Sequence, residues 1–205
     1  MLSSIEQFRE NIARVNDVGG FHTTLKNTTT AIVDLTDLLR AQIVMIVSAL
    51  DLYIHEIARI GMLEVYNGDR PQTGAFLRFQ VTLDSALNGI SKPSVSDWLD
   101  TEIRERHGHL SFQDPDSIAD AVRRFSSCEL WPSVAAELNM DVSDVKNQLR
   151  AIIKRRNQIV HEADLMPSYP GTITRWNILP ADVVTTLEFI LNVCEAIDIV
   201  TKPIS

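Results

Sequence analysis

Residues 150–164 read RAIIKRRNQIVHEAD, and within them Arg156, Asn157 and His161 close an otherwise apolar helical pattern. A histidine that titrates near neutrality can take a proton from a ribose 2′-hydroxyl or return one to a leaving oxygen. An arginine fork can hold the charge that gathers on a phosphorane-like transition state. Asn157 could orient either the imidazole or the phosphate. These are the parts needed to cleave RNA with its own 2′-hydroxyl as nucleophile, a chemistry that needs no metal and no cofactor.

The helix that must carry them follows from the spacing. At about 100° per residue, with Leu149 as origin, Ile152, Ile153, Val160 and Ala163 fall within about 60° of one stripe, which is the expected core face. Arg156 lies on that stripe, where an unpaired guanidinium is costly unless an anion or a partner meets it. Lys146, Arg150, Lys154, Asn157 and His161 share the adjoining face. With Arg155 they form the expected substrate-binding surface; the plainer reading is a solvated face with cations gathered at a helix C-terminus. Arg156 and His161 are about 140° apart on a regular helix. Either the helix distorts or a second copy of the chain completes the site, as a two-fold dimer would.

Other candidates are weaker. His55 follows Asp51 by four residues, so the carboxylate could hold the imidazole tautomer; the pair is either a helper to the reaction or a satisfied histidine at the core edge. HEIAR, His55 to Arg59, has arginine where a zinc-protease helix needs its second histidine. HGH, His107 to His109, has no third ligand nearby, so no metal site is expected. RERHGH, Arg104 to His109, repeats the arginine-to-histidine spacing but carries Glu105 in place of asparagine and Gly108 before the histidine, which weakens a helix. Trp98 and Trp131 sit at core-like positions, whereas Trp176, in a loop near the motif, could stack on a base. No nucleophile elbow, glycine-rich phosphate loop or nuclease-type carboxylate cluster is present.

The 205 residues are 45% hydrophobic with a net charge of −8, enough for one domain with a real core. The acidity excludes a protein that coats nucleic acid with its whole surface, so any such contact is local. Cys128 and Cys194 have no metal spacing and are expected to be buried free thiols in a reducing cytoplasm. The N-terminus lacks a signal peptide's apolar core, and the longest apolar run, residues 41–60, is broken by Gln42, Asp51, His55, Glu56 and Arg59. No membrane association is expected.

Apolar spacing is helical almost throughout, which predicts an all-α bundle with additional short helices. A helix over about 3–16 should end before Gly19 and Gly20 and pack on the bundle. Long helices are expected over about 30–66 and, from DVSDVKNQL, through the motif. Short ones begin at Ser94 or Ser96, at Asp114 ahead of Pro115, and at WPSVAAELN. The last runs from about Ala181 to Val200.

Taken together, LLRAQIVMIVSALDLYIHEIARI, LSFQDPDSIADAVRRF, WPSVAAEL and RRNQIVHEAD resemble the HEPN superfamily and its RiboL-PSP branch over about residues 30–200. RNQIVH is similar to the superfamily's Arg-polar-x-x-x-His motif. The resemblance implies a helical domain spanning residues 1–205 and a homodimeric, metal-independent endoribonuclease acting on single-stranded RNA. Arg156 and His161 would be the catalytic pair, with Asn157 as polar companion. It also implies a toxin–antitoxin or antiphage setting with a possible antitoxin or defence partner. The alternative it leaves open is a non-catalytic module that binds RNA or a protein.

Overall fold

A computed structural model describes residues 2–30, 33–92, 95–167 and 174–202. The described residues form eight α-helices and no strand: α1 (Ser4–Thr28), α2 (Thr36–Asn67), α3 (Leu83–Ser91), α4 (Asp97–His107), α5 (Pro115–Val122), α6 (Leu130–Glu137), α7 (Val142–His161) and α8 (Pro180–Thr201). An isolated antiparallel bridge pairs Leu165 with Arg175. The all-α expectation holds, short helices included.

The axis of the fold is α2. Leu39, Ile43, Ile46, Val47, Leu50, Tyr53, Ile54, Ala58, Met62 and Val65 are all buried along it, too many for one face, so it must be covered on several sides. It packs against α1, α8, α7, α4 and α5. Each aliphatic side chain so buried contributes about 1.5–3 kcal/mol relative to exposure. The helix stops at Asn67 because Gly68 adopts φ 86°, the left-handed cap that glycine takes without strain.

The first helix differs from the expectation. It runs through Gly19 and Gly20 to Thr28. Gly19 is a contact position here: a Cβ on it would lie 2.8 Å from the Gln42 amide nitrogen, and that nitrogen donates to the Val15 carbonyl at 3.1 Å. Close approach of α1 to α2 offsets the roughly 1 kcal/mol that glycine costs a helix.

At α5 the expectation is met, with Asp114 capping the helix and Pro115 in its first turn. Ser96 precedes α4 as its N-cap residue, but its side chain makes no capping hydrogen bond, and Ser94 lies outside the described residues. Cys194 is buried as expected, but Cys128 is only partly so. No helix among the described residues is long and apolar enough to cross a membrane.

Candidate functional site at the end of helix α7

α7 presents Val145, Leu149 and Ile152 to the core, against α2 and α6. The apolar stripe does not continue to its predicted end. Val160 is 44% exposed, and Ala163 lies beyond the helix with φ 50°. The end of α7 is therefore more exposed than its earlier part, though Ile159 still packs against the core, and this end carries the motif.

Arg156 is half-buried, while Asn157 and His161 are exposed. The helix is continuous from Val142 to His161, so distortion does not close the angular gap between arginine and histidine. Side-chain reach narrows it instead: Arg156 Nη1 donates to Asn157 Oδ1 at 3.1 Å, and Asn157 lies one turn before His161 on the same face. The guanidinium Nε is buried without a hydrogen-bond partner. A buried guanidinium donor in that condition is stabilised by any anion that reaches it.

The neighbouring cations are engaged. Lys146 Nζ lies 3.0 Å from Asp116 Oδ1. Arg150 reaches Asp116 Oδ2 at 3.0 Å and Asp114 at 3.7 Å. Lys146, and after it Arg150, holds the Asp116 carboxyl below the usual carboxylate range. Two of the cations expected to bind substrate are thus neutralised by the N-terminus of α5. Arg155 is tied to Asp164, with Nη2 donating to Oδ2 at 2.9 Å and Nη1 to Oδ1. Among the described residues Lys154 and Arg156 form no ion pair.

Asp164 and Arg40 are the residues that sequence reasoning missed. Asp164 is fully buried and Arg40 is 7% exposed; Arg40 Nε donates to Asp164 Oδ2 at 2.6 Å. Arg40 lies within the apolar segment LLRAQIVM, and a charge inside a buried helix requires a buried countercharge. That signal was readable, but the distant partner was not.

Asp51 and His55 are not brought to the motif. They lie 11 and 15 residues beyond Arg40 on α2, which places His55 roughly 22 Å further along the helix axis. Nor does Asp51 hold the imidazole: His55 Nε2 is 3.7 Å away, while the carboxylate accepts from the Phe112 backbone N–H at 2.7 Å and the Gln113 amide at 3.0 Å. His55 packs on Phe112 and faces His107, with ring centroids 4.5 and 6.3 Å apart. His107 is buried against Phe79 and Phe112, and Arg104 of the second arginine-to-histidine spacing is bound to Asp100 at 3.0 Å. Arg104 and His109, the pair of that copy, are both exposed, while His107 between them is buried.

Of the tryptophans, Trp131 is in the core and Trp98 is half-buried against Tyr66. Trp176 is 38% exposed. Its backbone N–H donates to the Asp164 carbonyl and its own carbonyl accepts from Arg40, both at 2.9 Å. Its backbone is therefore held beside the segment that leaves the motif helix.

No curated protein and no solved structure matches the chain. A family model described as RiboL-PSP-HEPN matches residues 9–202, which span all eight helices but for the first turns of α1. With its all-α architecture and RNQIVH at the exposed end of α7, the chain belongs to the RiboL-PSP-HEPN family, within a superfamily that generally comprises ribonucleases.

Proposed function

We propose that the protein is a metal-independent endoribonuclease that cleaves single-stranded RNA at the end of α7. The observation that carries this reading is the state of Arg156. Lys146, Arg150 and Arg155 are held by carboxylates, whereas among the described residues Arg156 has a buried Nε without a partner and is linked only to Asn157.

In this reading Arg156 holds a non-bridging oxygen of the scissile phosphate, and Asn157 fixes the guanidinium. His161 takes the proton from the ribose 2′-hydroxyl. The 2′-oxygen forms a bond to phosphorus, the bond from phosphorus to the 5′-oxygen breaks, and the leaving oxygen receives a proton. The products are a 2′,3′-cyclic phosphate and a 5′-hydroxyl. One imidazole cannot be base and acid in a single step; a two-fold homodimer supplies the second from the partner copy. Exposed Val160, Leu165 and Trp176, around the end of α7, support self-association at this place.

Lys154 adds the free positive charge of the surface, while Lys146, Arg150 and Arg155 support it from within their ion pairs. Asp51 and His55 have no part in the reaction. The setting we propose is a cytoplasmic toxin–antitoxin or antiphage module with a cognate partner protein, on the strength of the family alone. The alternative of a non-catalytic module binding through Lys146, Arg150 and Lys154 is less well supported, because Lys146 and Arg150 are already paired.

Arg156→Ala and His161→Ala should each lower the cleavage rate at least about 100-fold while leaving helicity and oligomeric state intact. Equal rates for wild type and both variants contradict the assignment.

A further inference from the structure

We infer that Asp164 is a positioning residue for the motif, a buried carboxylate clamp that holds the last turn of α7 and with it Asn157 and His161. The inference rests on the ribonuclease reading for its catalytic consequence and on the following geometry for the clamp itself.

Asp164 joins the two ends of the motif. One of its partners, Arg155, is the residue before Arg156, and Asp164 itself stands three residues after His161. The carboxylate accepts from Arg155 through both guanidinium Nη atoms and from Arg40 Nε. Arg40 comes from α2, so the contact also ties the end of the motif to the central helix. Its remaining donors are used: Nη1 reaches Thr36 Oγ1 at 2.5 Å and Asp37 Oδ1 at 3.3 Å, and Nη2 reaches the Trp176 carbonyl at 2.9 Å. Arg155 Nη2 adds the Asn177 carbonyl at 3.3 Å. Three chain segments thus meet on one fully buried carboxylate.

The backbone is shaped to deliver it. Ala163 and Asp164 adopt φ values of 50° and 59°, a left-handed conformation that non-glycine residues hold only where their surroundings enforce it. The Glu162 and Asp164 N–H groups both close on the Gln158 carbonyl at 3.0 Å, and Trp176 N–H closes on the Asp164 carbonyl. This reversal turns the Asp164 side chain back under the helix to meet Arg155. Helix ends fray unless something holds them, and His161 is the last residue of α7. Without the carboxylate, two guanidiniums lose their common anion and the turn that presents His161 loses its tether.

A residue that only stabilises the fold, a residue that binds substrate and a positioning residue differ in what their loss changes. The experiment compares wild type, Asp164→Asn and Arg155→Lys by amide hydrogen exchange and by steady-state cleavage of a single-stranded RNA. Arg155→Lys keeps the charge of a partly buried residue but removes its fork, so it preserves the fold if Asp164→Asn does not. The clamp predicts faster exchange confined to the amides of residues 158–164, with kcat down at least about ten-fold and KM within about three-fold of wild type. Unchanged exchange at those amides in Arg155→Lys overturns the inference, as does acceleration spread evenly over all helices. A raised KM with unaltered kcat would make Arg155 a substrate contact and overturn it too. If wild type cleaves no RNA, the ribonuclease reading fails and the exchange pattern alone decides the clamp.

Discussion

His107 shows how far the chemistry of a residue departs from its type once the fold surrounds it. Burial, and after it the Arg124 guanidinium and then His55, pushes its imidazole down to about 4. Above pH 6.5, the ordinary value, the folded and unfolded states both hold it neutral. Between 6.5 and 4 the unfolded chain takes up a proton that the folded chain refuses, so stability is present above this window and declines as pH falls through it. The loss is on the order of 3 kcal/mol over the whole window. Denaturation of wild type and His107→Gln at pH 7 and pH 4.5 should show a markedly smaller pH dependence in the variant; parallel losses would contradict the account. Sequence spacing made Arg104–His109 a rival to Arg156–His161; Glu105 and Gly108 already set it apart, and the structure adds that Arg104 has a carboxylate partner whereas Arg156, among the described residues, has none. The types of the site residues were readable in RNQIVH. That Asp164 gathers Arg40 as well as Arg155 was not, since its contact to Arg40 spans 124 positions.

Among the elements, α3 is turned the opposite way from an ordinary surface helix. Leu83, Leu87 and Ile90 are 77%, 57% and 76% exposed, while Gly89 faces Trp98 so closely that a Cβ would lie 2.6 Å from the ring. Ile90→Ser should therefore change stability by less than about 0.5 kcal/mol, and Gly89→Ala should reduce it by roughly 1–3 kcal/mol through overpacking. Thermal melts of the two variants check the contrast, and the reverse order would refute this packing. Gly19 teaches the same lesson. A glycine pair in a sequence predicts a helix end, yet α1 uses Gly19 for close contact with α2, a role set by a helix 23 positions away. The α5–α7 contact makes a separate prediction. Asp114 and Asp116 neutralise Lys146 and Arg150, so replacing both carboxylates by asparagine should tighten RNA binding at low salt. It should steepen the slope of log affinity against log salt by about 1.4 for two freed cations. Filter binding across a salt series reads this directly, and an unchanged slope would show that these lysine and arginine side chains lie away from the RNA.

For the whole molecule, charge and architecture point the same way. A chain with a net charge of −8 keeps RNA off most of its surface and offers a guanidinium without a carboxylate at the exposed end of one helix. Periodicity predicted the helical class, and the motif, read with its flanking segments, pointed to the family that the match over residues 9–202 establishes. Periodicity failed at Val160 and Ala163, because a helical pattern predicts a buried face without saying where the neighbouring helices end. That failure coincides with the site: Asn157, Val160 and His161 are exposed where, in our reading, the motif meets RNA and a second copy of the chain. The most direct test of the central claim is incubation of the purified protein with labelled single-stranded RNA in excess chelator, followed by mapping of the product ends. The account predicts cleavage that leaves 2′,3′-cyclic phosphate and 5′-hydroxyl ends. Intact RNA under these conditions, or products ending in 3′-hydroxyl and 5′-phosphate, would contradict it.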